Sequence, residues 1–232
     1  MTHPFTSVLV LAAGGGQRMG CDKIFFLLGE KSVIRRTLEA LQAAETVDEI
    51  VVVTSDAEKM RSESCGLSKV TAIVAGGETR LASARNGFAA VGGQTAFVSI
   101  HDGARPFVRP EEVDAVHRRA YETGAAICGT YAVDTVKVVD ASGRILSSPD
   151  RRMLFCAATP QVFSRDLYAR ALAQAQRDGA EYTDDSACVA AIGAEIYTEC
   201  CSHSNFKLTT PQDLLRAKAW LDAEKDNIPG LC

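Results

Sequence analysis

A chain of 232 residues, 47% of them hydrophobic, is long enough for one large domain with a sizeable core. The 25 Lys and Arg against 29 Asp and Glu leave a net charge of −4, with no long basic block and no basic-aromatic stripe, which argues against a nucleic-acid partner. No apolar run approaches the length of a membrane span, and the start MTHPFTSVLV lacks the basic residues and small-residue cleavage site of a secretory signal, so a cytoplasmic protein with no membrane partner is expected.

The first apolar run, residues 7–10, opens directly into LAAGGGQRMGCDK at 11–23. Gly14, Gly15 and Gly16 have no Cβ, so the chain there can turn sharply and aim several N–H groups at one anion. Arg18 adds a planar fork of donors for phosphate oxygens and Lys23 a compact mobile charge. A P-loop would need Lys-Ser or Lys-Thr after its last glycine, whereas Gly20 is followed by Cys21 and Asp22. The dinucleotide fingerprint fits poorly, because the spacing from Gly14 through Gly16 to Gly20 is one residue too long and Arg18 interrupts it. The plain alternative is a tight strand-to-helix turn with no ligand.

Further β-branched runs at 49–54, 70–74 and 96–100 read as strands buried on both faces, and helical patterns at 33–44 and 83–91 lie between them. Alternating strands and helices predict a Rossmann-like, mainly parallel sheet with helices on both faces and ligands at the carboxyl ends of the strands. After the strand ending at Ile100 comes His101-Asp102-Gly103-Ala104-Arg105-Pro106, where a carboxylate at a strand's end can hold Mg²⁺ against phosphate; the alternative is an Asp-Gly turn with a local ion pair.

From about 132 to 158 strand-like alternation flanks the turn signal Asp140-Ala141-Ser142-Gly143 with no helix between, predicting a protruding β-hairpin arm within a single domain of residues 1–232. A two-stranded arm is marginal alone, so a second subunit is its expected support, the alternative being a hairpin folded onto its own domain. Helical patterns return at 166–178 and 211–225, and Thr183 with its following aspartates reads as an N-cap for a helix through Ala190. Residues 205–209 read as a short edge-like strand carrying Lys207, and the tail from 227 as frayed. The eight cysteines form no C-x-x-C pair, so neither a disulfide framework nor a zinc site is indicated; most are expected reduced and buried, with Cys21 exposed in the loop.

Taken in order, LAAGGGQRMG, Lys23, GGETR at 76–80, Ser83, HDGARP, VDTVK at 133–137, TPQVF at 159–163, TDD and NFKLTTPQDL closely resemble the 2-C-methyl-D-erythritol 4-phosphate cytidylyltransferases of non-mevalonate isoprenoid synthesis, in register from about residue 7 to 220. The resemblance implies transfer of CMP from CTP to a polyol phosphate, with Mg²⁺ required and pyrophosphate released. It makes Arg18 and Lys23 triphosphate ligands, counts Lys207 with them among the catalytic cations, and makes Asp102 the metal carboxylate. Ala12, Ala13, Gly77, Glu78 and Ser83 would surround the cytosine beside Gly14, Gly15 and Gly16. Arg105, Thr159, Thr183 and Lys207 would face the methylerythritol phosphate, and Thr135 and Arg151, on an arm exchanged within a homodimer, would serve the partner's site.

Two departures stand out. Asp22-Lys23-Ile24 replaces the family's usual Pro-Lys-Gln, and Ser204 stands where a second acidic residue near the metal would be expected, leaving Asn205. The rival acceptor is ribitol 5-phosphate, whose cytidylyltransferases share the CTP loop. A non-catalytic nucleotide-sensing module and a dinucleotide-dependent oxidoreductase are more distant readings.

Overall fold

The computed structural model describes residues 3–14 and 22–225. Its centre is a seven-stranded sheet made of β1 (Thr6–Ala12), β4 (Glu49–Thr54), β5 (Val70–Ala75), β6 (Phe97–Asp102), β7 (Ala125–Tyr131), β10 (Phe155–Ser164) and β11 (Tyr197–Cys200). The order across the sheet is β11-β7-β10-β6-β1-β4-β5. β1 pairs in parallel with β4 and β6, and β4 with β5, while β10 runs antiparallel to both β6 and β7. The mainly parallel sheet expected from the alternating pattern is present, with one antiparallel strand inserted near its middle.

Period-two alternation divides the core. Val8, Val10 and Ala12 of β1 with Ile50 and Val52 of β4 face one layer, formed by α1 (Val33–Ala43), α2 (Ala57–Glu63), α4 (Pro110–Thr123) and α7 (Pro211–Lys225). Leu9 and Val51, one residue out of phase, face the other layer, formed by α3 (Arg80–Ala89), α5 (Arg165–Asp178) and α6 (Asp185–Ala190). α1 starts where Ser32 caps it, its side chain accepting from Arg35 N, and it buries Val33, Ile34, Leu38 and Leu41 on one face. Two short strands, β2 (Leu27–Leu28) and β3 (Lys31–Ser32), lead into it. No helix among the described residues is long and apolar enough to cross a membrane.

The arm leaves the sheet between β7 and β10. Val138–Val139 (β8) and Ile145–Ser147 (β9) pair antiparallel around the Asp140 turn, whose carboxylate accepts from the backbone N–H of Ser142 and Arg144. The hairpin is shorter than the 132–158 window, because Arg151–Met153 form a 3-10 turn and 155–158 already belong to β10. Its apolar side chains stay outside: Ile145 is 60% exposed, Leu146 56% and Met153 83%.

Three other expectations are corrected. Residues 205–209 form no strand: the segment crosses the sheet's end, with Leu208 buried and its N–H donated to Ala104 O. The cap of α6 is Asp184, which accepts from Ala187 N, and Thr183 stands outside the helix. Among the described cysteines all are free, but Cys65, Cys156 and Cys200 are exposed and only Cys128 and Cys188 are fully buried. Cys21, Cys232 and the tail lie outside the described residues.

Candidate active site

The carboxyl ends of β1, β5 and β6 border a cleft of ≈ 570 Å³, where α/β sheets place their ligands. Backbone approach shapes its first wall. A Cβ at Gly76 would lie 2.3 Å from the Ala13 Cβ, and one at Gly77 2.5 Å from the Ala82 Cβ, so only glycine lets the turn after β5 close against the turn after β1. Ser83 Oγ accepts from Gly77 N at 3.0 Å and fixes that turn, and Thr79 caps α3 by accepting from Ala82 N. Ala13, Gly14, Gly77, Glu78 and Ser83 therefore line one pocket. Ala12 is buried beneath it, packed where Gly103 comes close. Gly15, Gly16 and Arg18 lie outside the described residues.

The second wall is charged. Asp102 ends β6, its carboxylate 3.2 Å from Lys207 Nζ through Oδ1 and 3.2 Å from Arg105 Nε through Oδ2. Burial alone would raise this carboxyl group, but the facing Lys207, Arg105 and Arg80 outweigh it and hold it far below the usual carboxylate range. The segment that failed to form a strand explains the convergence. With no ladder to satisfy, its carbonyls accept from cations instead: Leu208 O from Lys23 Nζ at 3.0 Å and Asn205 O from Arg105 Nη1 at 2.7 Å. Lys207 and Arg105, far apart in sequence, are thus brought to one carboxylate, and Lys23 is held to the carbonyl of Leu208, the residue after Lys207. Lys23 and Lys207 line the cleft; Arg105 lies behind Asp102, its side chain 11% exposed.

The remaining expected residues are placed differently. Thr159 is buried, and its hydroxyl accepts from Asp102 N at 3.0 Å and is hydrogen-bonded to His101 Nδ1, so it braces the carboxylate from below instead of facing the cleft. Thr183 is exposed at the start of the α6 turn. Thr135 is exposed on the arm; Arg151 donates to Val133 O and lines a separate cavity of ≈ 460 Å³ at the arm's base, so neither reaches the cleft of its own chain.

Arg80 is the residue that sequence reasoning missed. It lines the cleft and forms a 2.6 Å ion pair with Asp185, yet it stood in GGETR without a role because nothing local shows a partner more than a hundred positions away. Thr209 also lines the cleft.

The donors at the charged end suit a hard divalent cation: Asp102 is held ionised, and Asn205 Oδ1 is a buried oxygen without a hydrogen-bond partner. No group of three or more His, Cys, Asp or Glu side chains among the described residues could hold a metal ion alone. Phosphate oxygens and water would have to complete the shell, which is how Mg²⁺ is commonly held.

A sequence model of the family described as "IspD: 2-C-methyl-D-erythritol 4-phosphate cytidylyltransferase" matches residues 6–223. The 2-C-methyl-D-erythritol 4-phosphate cytidylyltransferase of Syntrophus aciditrophicus is 38% identical, with 97% of this chain and 99% of the relative covered. The bifunctional enzyme IspD/IspF of Anaeromyxobacter dehalogenans is 41% identical over 92% of this chain, which spans only 56% of that longer relative. Among solved structures, the 4-diphosphocytidyl-2C-methyl-D-erythritol synthase of Anaerococcus prevotii superposes with a TM-score of 0.86 at 27% identity, covering 94% of this chain and 96% of the other. The cytidylyltransferase of Thermus thermophilus gives 0.77 at 30% identity, covering 93% and 98%.

Proposed function

The chain belongs to the 2-C-methyl-D-erythritol 4-phosphate cytidylyltransferase family, and from that premise we propose that it transfers CMP from CTP to 2-C-methyl-D-erythritol 4-phosphate, giving 4-diphosphocytidyl-2-C-methyl-D-erythritol and pyrophosphate. The observation that carries this reading is the pairing of Lys207 and Arg105 with Asp102, and of Lys23 with the adjoining Leu208 carbonyl, beside a glycine-built wall. The acceptor phosphate oxygen is already an anionic nucleophile, so the site needs no general base; it must bring two polyanions together and hold them in line.

The backbone of Ala13, Gly14 and Gly77 with Glu78 and Ser83 would take the nucleoside end, in a pocket that favours a small base. Lys23, and Arg18 from the glycine loop, would bind the triphosphate and oppose the charge that builds on the α-phosphoryl and leaving oxygens. Lys207, on the charged wall, would give up part of its pairing with Asp102 to reach the acceptor phosphate, with Thr183 as a further polar contact, while Arg105, expected to face that phosphate, would act from behind Asp102 by holding its carboxylate. Thr159 keeps Asp102 in place from below. Mg²⁺, when bound at Asp102, would neutralise part of the triphosphate charge.

We assign Thr135 and Arg151 to the partner's site in a homodimer with exchanged arms, a reading supported by the exposed apolar side chains of the arm and by neither residue lining the cleft of its own chain. A cytoplasmic location suits two water-soluble, highly charged substrates. The deciding experiment is pyrophosphate release with CTP and Mg²⁺, comparing methylerythritol 4-phosphate with ribitol 5-phosphate as acceptor. Strong preference for the former is expected. Preference for ribitol would reassign the acceptor, and release with neither would point to nucleotide sensing.

A further inference from the structure

Arg80, the first residue of α3, reaches away from its own element to Asp185, the first residue of α6, with Nη1 2.6 Å from Oδ2. The Asp185 side chain is 0% exposed, and its Oδ1 accepts from the Tyr168 hydroxyl at 2.6 Å. Tyr168 is fixed in turn: fully buried on α5, it stacks on Phe163 at 5.6 Å and meets Phe88 edge-on at 5.4 Å. Gln161 of β10 grips the same turn separately, donating to Asp184 Oδ2 and accepting from Ser186 N, both at 2.9 Å. Arg80 is thus a tie from the cleft's nucleotide wall to the buried start of α6 beside the turn at 183–186. Exposed ion pairs contribute little, but a buried carboxylate that loses its cation is left uncompensated, so this tie constrains where the α6 turn can sit.

We propose that Arg80 is a positioning residue that, through Asp185, holds the Thr183 turn in register with the nucleotide wall, so that binding of the acceptor phosphate depends on it. The proposal deepens the function given above and rests on Thr183 facing the polyol phosphate.

The test compares Arg80→Lys, Arg80→Met, Asp185→Asn and the Arg80→Met/Asp185→Asn double variant with the wild type. Amide hydrogen exchange over residues 181–190 needs no turnover, and is expected to quicken at least about tenfold in Arg80→Met and less in Arg80→Lys. In steady-state kinetics KM for the acceptor should rise about tenfold, with KM for CTP within about threefold of wild type. The double variant should cost little more than either single one, because the two residues act as a unit. Unchanged exchange at 181–190, equal rises in both KM values, or additive costs would overturn the proposal. A wild-type enzyme with no pyrophosphate release would overturn the assigned reaction instead, leaving the exchange measurement to decide the tie. Should Arg80→Met fail to fold, Arg80→Lys and Asp185→Asn carry the same comparison.

Discussion

At the carboxyl ends of β1, β5 and β6 the glycine turns pack too closely for any side chain, and the central carboxylate is buried, Asp102 being 7% exposed. In the arm, between β7 and β10, the relation is reversed. Ile145, Leu146 and Met153 face solvent, while the ion pairs Arg144–Asp140 and Arg152–Asp150 lie on the surface, where such pairs contribute little. The cleft is therefore specified by the chain's own core, whereas the arm carries apolar surface that this chain does not cover. Two-stranded hairpins are marginal by themselves, which is the physical ground for the partner subunit proposed for the arm.

The comparison is broken most severely by removing a charge from each region. Lys23→Ala should fold normally and turn over at least tenfold more slowly, since losing one such cation typically costs ~10²–10³ in rate. Arg151→Ala should be similarly impaired if the arm serves the partner. Mixing the two inactive chains under conditions that exchange subunits should then restore part of the activity. No recovery despite proven exchange would return Arg151 to its own subunit's site.

Packing distinguishes the regions next. Gly77→Ala forces a Cβ to within 2.5 Å of Ala82, an overpacking cost of about 1–3 kcal/mol that should lower Tm by about 2–12 °C. Gly93→Ala, where nothing lies within 4 Å of the added Cβ, is the matched control. Equal Tm values would show that the Gly77 turn relaxes freely.

Acid comes third, and acts on the core. Burial pushes His117 down to about 4 and His101 to about 3, from an ordinary value of 6.5. As pH falls below 6.5 the unfolded chain takes up protons at both side chains while the folded chain does not. Stability present above pH 6.5 is therefore lost on acidification, by up to about 1.4 kcal/mol per pH unit for each histidine until its folded value is reached. Asp102, held below its ordinary 3.8, adds a further loss only as pH falls below that value. Tm should fall from pH 7 to pH 5, and His117→Gln should flatten the slope; an unchanged slope would exclude His117 as a source. The smallest effect belongs to the arm: Ile145→Ser should change monomer stability by no more than about 0.5 kcal/mol while weakening self-association measured by sedimentation.

The same division governs what could be read from residues alone. Strands β1, β4 and β6 were legible as apolar runs buried on both faces, and α7 because a Thr-Pro start marks its beginning; β5 was legible as a β-branched run, but it lies at the sheet's edge with none of its residues fully buried, a correction to the burial expected of it. β10 was hidden by its neighbour: residues 155–158 continue the arm's alternation, so the strand's entry into the central sheet left no local mark. The α4 helix between β6 and β7 went unassigned, although Pro110 sits in its first turn and Gly124 ends it in a left-handed conformation. Within the cleft, Lys23, Asp102 and Lys207 could be named from motif order, but Lys207, which pairs directly with Asp102, and the carbonyls that hold Lys23 and Arg105 all belong to an irregular segment with no local pattern. A lysine in such a segment reads as a surface charge until its partner is seen.

The register between β7 and β10 has one more consequence. Tyr131 pairs with Phe155, and Ala132 N donates to Leu154 O, so the two ends of the arm are fastened side by side before the arm begins. Residues 133–153 are therefore a cassette closed at its base. Because doubling the length of a closed loop costs only about 0.6 kcal/mol, descendants of this chain can lengthen, shorten or rewrite the cassette while inheriting the sheet and its cleft unaltered.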